Sequence, residues 1–216
     1  MSNAMVNSPA TWCDPHPANV HPIPRDGRRH CGILEQVLRR QWNPAHGLPP
    51  ANLINAVDEL AALPVHIATR LAQELDEIWL GVGYVPDLDN LGFLRGHPIE
   101  PGSAVLWDQV PGVCTGRIIA IGTGDHVSAS LVLHEVGHGL DSLDAMSQSS
   151  EWQTIMRMCR SRIQHPRYLN AVEWWAEAYA LCASGQLGRL VRLLDDDENL
   201  AEMVWAYYRR HYGVMR

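Results

Sequence analysis

The sequence predicts an α+β protein that is mostly helical and contains a small mixed sheet. Three observations lead to this prediction. Apolar residues recur with a helical period through two parts of the chain, residues 31–75 and 151–212. Short runs rich in β-branched and aromatic residues lie between these parts and are typical of strands. An apolar helical segment, residues 127–141, carries the pattern His-Glu-Val-Gly-His.

The length of 216 residues is sufficient for one domain with a sizeable core. We interpret residues 1–4 as an expression scar because they precede a second methionine. Residues 5–29 contain five prolines and are interpreted as an irregular leader. Residues 30–216 then form a single domain. Its helical N-terminal part covers residues 30–75, and residues 76–216 form a metal-binding core.

The composition argues against several classes of partner. A formal net charge of −7 disfavours nucleic acid, and no apolar run approaches the roughly 20 residues that a membrane span needs. The N-terminal residues lack the apolar core of a signal peptide, and the five cysteines are scattered without a C-x-x-C pair. We therefore expect reduced thiols in a protein that is cytoplasmic or exported by a non-classical route.

In chain order, breaks at proline and glycine separate the predicted elements. The segment 43–50 ends a first helix, and Pro64 suits the first turn of a third. Asp125 or Ser128 is expected to cap the helix that carries the His-Glu-Val-Gly-His pattern. Pro166 disfavours a helical residue before it, which predicts a loop there. The predicted helices cover residues 31–42, 51–63, 64–75, 127–141, 151–163, 171–183, 186–194 and 197–212, and the predicted strands cover residues 78–85, 104–107 and 116–122.

The most informative segment carries His134, Glu135 and His138. Residues four apart share one face of a helix, so both imidazoles can bind one Zn²⁺. Glu135 lies beside the first histidine, where its carboxylate can reach a water rather than the metal. The neighbouring residues are apolar, and a buried polar group without a partner costs about 1–3 kcal/mol. We therefore predict a zinc site with three protein ligands and one position open to water.

Two carboxylates are candidates for the third ligand. Glu173 lies on a helix made mostly of Trp, Ala, Leu and Tyr, where burial of a carboxylate is costly unless a cation compensates it. Glu177, one turn later, is expected to accept a hydrogen bond from a ligand histidine. The alternative ligand is Asp144, which has the spacing of the H-E-x-x-H-x-x-G-x-x-[H/D] pattern, although Asp141 replaces its glycine. Asp141 is interpreted instead as another carboxylate that orients a histidine.

Two blocks of sequence together resemble a known family. H-E-V-G-H-G-L-D begins at His134, and E-W-W-A-E-A-Y begins at Glu173. This pair resembles the zinc metallopeptidase domain of anthrax lethal factor and its relatives, which include the Pro-Pro endopeptidases. The resemblance covers about residues 76–184 and implies a zincin-like fold. It also implies that His134, His138 and Glu173 bind zinc and that Glu135 is the general base.

The family also has a catalytic tyrosine, usually seven residues before the third ligand. This chain has Pro166 at that position, and Tyr168 is the candidate for the role. The resemblance thus implies a zinc-dependent endopeptidase that acts on a peptide or protein. By analogy with zincin folds, residues 116–122 would form the edge of the sheet, and the substrate would lie along them as an added strand. The alternative is a metal-binding effector or interaction module that does not hydrolyse peptides.

Overall fold

The computed structural model describes residues 26–42, 45, 47–88 and 90–214. The predicted expression scar and the predicted leader up to residue 25 lie outside the described residues. Helices dominate the described part of the chain, and a four-stranded mixed sheet accompanies them. The predicted α+β class is therefore confirmed.

The sheet has the strand order β1-β2-β4-β3. Strands β1, β2 and β4 run parallel, and β3 pairs with β4 in the antiparallel direction. Residues Ile78, Leu80, Ile119 and Ile121 are buried, and the register pairs Ile78 with Ile119 and Leu80 with Ile121, so these four side chains form one buried face of the sheet. The four strands are β1 (Leu38–Gln41), β2 (Glu77–Gly81), β3 (Gly112–Thr115) and β4 (Ile118–Ile121).

Most helices begin where the sequence supplies a cap or a proline. Pro50 and Pro64 precede the first two helices, and the side chains of Ser130, Asn170 and Asp197 accept backbone hydrogen bonds at the starts of three others. The helices are α1 (Ala51–Ala61), α2 (Val65–Glu74), α3 (Leu131–Asp144), α4 (Ser150–Cys159), α5 (Ala171–Ala183), α6 (Leu187–Leu193) and α7 (Glu198–Tyr212). The bounds of α5 are those predicted. The cap of α3 is Ser130, not Asp125 or Ser128 as expected.

The helix predicted over residues 31–42 is wrong. A short 3-10 helix covers Gly32–Gln36, and the chain then enters β1. The apolar side chains of this segment suit either structure, because Leu34, Val37 and Leu38 have the spacing of one helix face and yet are all buried in the path that the chain takes. The parallel pairing of Leu38 with Ile78 favours the strand, and that pairing is a tertiary contact with β2.

The predicted strand over residues 104–107 is also wrong. Only an isolated bridge, between Pro98 and Leu106, forms there. The antiparallel strand of the sheet is instead β3, which the sequence did not reveal because Pro111 and Gly112 are typical of a turn. As a result β4 has partners on both sides, and β3 is an edge of the sheet. The prediction that residues 116–122 form the edge is therefore corrected.

Helices α3 and α5 cross at very short range at the centre of the core. A Cβ at Gly137 would lie 3.0 Å from the Cα of Ala176. Behind α5, a layer of buried aromatic side chains from α4, α5 and α7 fills the core, including Trp152, Trp175 and Tyr208. Within the described residues, none of the helices combines the length and the apolar character needed to cross a membrane.

Candidate active site

Helix α3 places two imidazoles side by side. The Nε2 atoms of His134 and His138 lie 3.1 Å apart, and the ring centroids are 4.7 Å apart. His134 is only 1% exposed, whereas His138 is partly exposed. The pair therefore sits at the boundary between the core and an open space, which is where a metal must lie to meet a substrate.

Helix α5 brings Glu173 to the same point. Its Oε2 is 3.5 Å from Nε2 of His134, and its Oε1 is 3.7 Å from Nε2 of His138. One ligand atom from each of these three residues lies within 4.8 Å of the others. Burial raises the pKa of Glu173, but hydrogen bonds from His134 and Arg167 outweigh it and lower the pKa to about 2. The carboxylate is thus held in its ionised form.

The pKa values of the two histidines shift in opposite directions. Burial lowers the pKa of His134, but the carboxylates of Glu173 and Glu177 outweigh burial and raise it to about 9. Burial and the neighbouring His134 lower the pKa of His138 to about 4. Two carboxylates therefore favour positive charge where a cation would be coordinated.

Glu177 orients His134 from behind. Its Oε2 lies 3.0 Å from Nδ1 of His134 and accepts a hydrogen bond from the hydroxyl of Ser128 at 2.5 Å. Its Oε1 accepts a hydrogen bond from the N–H of Ala129 at 2.8 Å. With one proton held on Nδ1 by this carboxylate, a bound cation would displace only the proton on Nε2, the atom that faces His138. Ser128, expected as a helix cap, thus supports this carboxylate.

Glu135 lies buried beside the pair, with 2% of its surface exposed. Its Oε2 has no hydrogen-bond partner among the described residues. Burial raises the pKa of Glu135 to about 7. Gly112 of edge strand β3 lets the strand pack closely against this side chain: a Cβ at Gly112 would lie 2.8 Å from Oε1 of Glu135 and 3.1 Å from its Cγ.

A cleft of about 700 Å³ opens in front of these groups. One wall is β3, which contributes Gly112, Val113 and Cys114. The loop before β3 forms another wall, with Trp107 and Val105 among its side chains. Glu135, His138 and Glu173 line the same cleft. The cleft is therefore lined by an edge strand, by two of the three side chains that could hold a metal, and by the buried carboxylate of Glu135.

No protein-family profile matches the sequence, and no curated protein sequence matches it. Among solved structures, the Pro-Pro endopeptidase PPEP-2 from Paenibacillus alvei matches with a TM-score of 0.65 and 21% sequence identity, over 83% of this chain and 100% of that chain. The chain is similar in fold to a Pro-Pro endopeptidase. At this identity the likeness concerns the fold, and it supports the predicted metallopeptidase-like fold without pointing to lethal factor in particular.

The two aspartates at the end of α3 lie away from the cluster. Asp144 accepts hydrogen bonds from Arg70 at 2.7 Å and from the hydroxyl of Tyr212 at 2.9 Å. It therefore joins α2, α3 and α7 and is not a third ligand. Asp141 accepts the N–H of Ser147 at 2.6 Å. Among the described residues no hydrogen bond links Asp141 to either imidazole, so its predicted role is corrected: it closes the turn after the helix.

In the short 3-10 helix Pro166–Leu169, the neighbouring side chains of Arg167 and Tyr168 point in different directions. Tyr168 is buried, with 3% of its surface exposed, and its ring lies 6.3 Å from that of Trp174. Arg167 instead lines the cleft, where its Nε donates a hydrogen bond to Oε2 of Glu173 at 2.6 Å. Tyr168 is absent from the described residues that line the cleft. No sequence motif includes Arg167, and the one local signal for its role is a cationic side chain six residues before Glu173.

Proposed function

We propose that the chain is a zinc-dependent endopeptidase whose ligands are His134, His138 and Glu173. The observation that carries the proposal is the convergence of these three side chains beside Glu135, whose Oε2 has no hydrogen-bond partner among the described residues. Two imidazole nitrogens and one carboxylate oxygen are a frequent ligand set of catalytic zinc. The lone pairs of two Nε2 atoms 3.1 Å apart repel each other, and a proton or a cation between them removes this repulsion.

Zinc held by these residues would supply a Lewis acid, which polarises a carbonyl group and makes water nucleophilic near neutral pH. The chain's own contribution is the placement of the groups around it. Glu177 fixes the tautomer of His134, because a proton on Nδ1 is shared with its carboxylate. Glu173 carries a negative charge that helps to neutralise a divalent cation.

Glu135 is the proposed general base. Its buried Oε2 has no hydrogen-bond partner among the described residues, so this oxygen is available to accept a hydrogen bond from a water in the cleft. In the proposed reaction it takes a proton from the water that attacks the peptide carbonyl. It then passes this proton to the departing amine, which must be protonated to leave. The same carboxylate thus acts first as a base and then as an acid.

The proposed substrate is a peptide that pairs with β3. Within the described residues, β3 pairs on one side only, with β4, and its residues line the cleft. An extended peptide can therefore add as a further strand along Gly112–Thr115 and place one carbonyl beside Glu135. Residues 30–216 act in this proposal as one catalytic domain, and the wall that includes Trp107 contacts the peptide side chains.

The test combines metal analysis with digestion of a quenched-fluorescent peptide library, with and without a chelator. Wild-type protein is expected to bind zinc and to cleave, and the chelator should abolish cleavage. The Glu135→Gln variant should retain zinc and lose about 10²–10⁴-fold in rate, because general acid–base catalysis contributes about this factor. Glu74→Gln, at the exposed end of α2, is the matched control and should cleave normally.

Two outcomes would contradict the proposal. Cleavage that survives in Glu135→Gln would remove this carboxylate from the mechanism. Zinc binding by the wild-type protein without cleavage of any library peptide would favour the alternative, a metal-binding effector or interaction module that does not hydrolyse peptides.

A further inference from the structure

We propose that Arg167 is a catalytic residue that donates hydrogen bonds to the carbonyl oxygen of the substrate as negative charge develops on it. This inference rests on the proposed function. It assigns to an arginine the role that the resemblance assigns to a tyrosine, for which Tyr168 was the candidate. The position of Arg167 in the cleft carries the inference.

Arg167 lies where two cavities meet. It lines the cleft of about 700 Å³, which contains Glu173 and His138. It also lines a smaller cavity of about 150 Å³, which contains His134 and Glu135. A substrate carbonyl next to the base and the proposed ligands must therefore lie near this guanidinium.

Among the described residues, hydrogen bonds hold the guanidinium of Arg167 by one nitrogen only. Its backbone N–H donates a hydrogen bond to Nδ1 of His165 at 3.3 Å, and its Nε donates to Glu173 at 2.6 Å. Neither Nη1 nor Nη2 of Arg167 donates a hydrogen bond within the described part of the chain. The side chain is 47% exposed. The guanidinium is thus anchored at one edge, while its two terminal NH₂ groups remain available to a ligand in the cleft.

The local backbone allows only one of the two neighbours to face the cleft. A 3-10 helix has about three residues per turn, so successive side chains point about 120° apart. In Pro166–Leu169, Tyr168 packs between the rings of His165, at 5.1 Å, and Trp174, at 6.3 Å. Burial, followed by the negative charge of Glu177, raises the pKa of the Tyr168 hydroxyl. The tyrosine therefore belongs to the core behind the site.

An arginine suits the task chemically. Its guanidinium is charged at every pH at which the protein is folded, and its N–H groups form a planar fork. The oxygen of a peptide carbonyl becomes negative when water attacks the carbon, and a positioned donor stabilises that charge more than it stabilises the neutral substrate. Loss of one such donor typically lowers kcat by about 10²–10³-fold. KM changes little, because the interaction strengthens only as the charge develops.

The experiment compares Arg167→Ala, Arg167→Lys and Tyr168→Phe, using the best peptide from the library digest. Arg162→Ala is the matched control, because Arg162 pairs with Asp195 on the surface at 3.0 Å. For each variant we would measure zinc affinity, kcat, KM and the thermal unfolding midpoint. We would also measure the binding of a phosphinic peptide, which mimics the tetrahedral oxyanion, to wild type and to Arg167→Ala.

Arg167→Ala is expected to bind zinc within about 3-fold of wild type and to lose about 10²–10³-fold in kcat with little change in KM. Its affinity for the phosphinic peptide should fall by a similar factor, and millimolar guanidinium should restore part of kcat. Arg167→Lys should lie between wild type and Arg167→Ala, since a point charge without the planar fork is retained. Tyr168→Phe should cleave like wild type.

Three results would overturn the inference. In the first, Arg167→Ala loses zinc in proportion to activity and excess zinc restores cleavage, so that Arg167 only positions Glu173. In the second, Tyr168→Phe loses kcat with zinc retained. In the third, Arg167→Ala and Arg167→Lys cleave like wild type. A wild-type protein that binds zinc and does not cleave would instead refute the proposed function itself.

Discussion

The close crossing of α3 and α5 at Gly137 leads to the sharpest prediction about the site. Helix α3 supplies both histidines, and α5 supplies Glu173, so the distance between the helices sets the distances among these three side chains. A Cβ added at Gly137 would lie 3.0 Å from the Cα, 3.1 Å from the carbonyl oxygen and 3.3 Å from the Cβ of Ala176. Two of these three atoms belong to the backbone and cannot rotate away. The helices must therefore separate if alanine replaces this glycine.

The magnitude follows from two opposing effects of Gly137→Ala. Overpacking of a core typically costs about 1–3 kcal/mol. Replacing glycine by alanine inside a helix contributes up to about 1 kcal/mol in the other direction. We therefore expect a net loss of about 1–2 kcal/mol in the free energy of unfolding. If the separation of Glu173 from the histidines costs the zinc complex about 1.4 kcal/mol, zinc affinity falls about tenfold.

Gly139→Ala is the matched control on the same helix. A Cβ there would lie 2.9 Å from Cδ1 of Ile119, the tip of a flexible side chain, and 3.7 Å from Leu71. Rotation of that methyl group can relieve the contact, and the gain in helix propensity offsets the remaining cost. We expect its stability to change by less than about 0.5 kcal/mol, with unchanged zinc affinity. Urea unfolding and competition with a metal chelator measure both quantities; equal behaviour of the two alanine variants would refute the reasoning.

Three further substitutions test individual contacts. Glu177→Gln should weaken zinc binding about 10–100-fold, because a neutral amide orients His134 less well than a carboxylate; a chelator titration with unchanged affinity would contradict this. Asp144→Asn should cost about 1 kcal/mol of stability and leave zinc content unchanged, since the hydrogen bonds of Asp144 join α3 to α2 and α7 and do not reach the proposed ligands; loss of zinc in the folded variant would restore Asp144 as a ligand. Burial raises the pKa of Glu59 above its ordinary value, although the hydroxyl of Ser130 opposes this shift, so the contribution of Glu59 to stability is full at low pH and declines as the pH rises through the raised pKa. Glu59→Gln should therefore gain stability relative to wild type between about pH 4.5 and neutral pH, and a difference in unfolding free energy that is independent of pH would contradict the assignment.

Local sequence determined the elements whose signals lie within a few residues. Helix α5 has the predicted bounds because Asn170 caps its first turn and an uninterrupted apolar run follows. The facing of His134 and His138 also follows from local geometry, because residues four apart always share a face of an α-helix. The position of Glu177 behind His134 agrees with the expectation that two carboxylates on an apolar helix need partners.

The tertiary structure decided whatever depends on which segments meet. The residues of β1 could form a helix or a strand, and the neighbouring strand β2 selects the strand. The edge of the sheet is β3 because β4 is paired on both sides, which no property of residues 116–122 reveals. Arg167 and Tyr168 are adjacent and both polar, yet packing against Trp174 buries one and leaves the other in the cleft. Spacing along the chain fixes which side chains share a helix face, whereas contacts between distant segments decide which of those faces meet at the cleft.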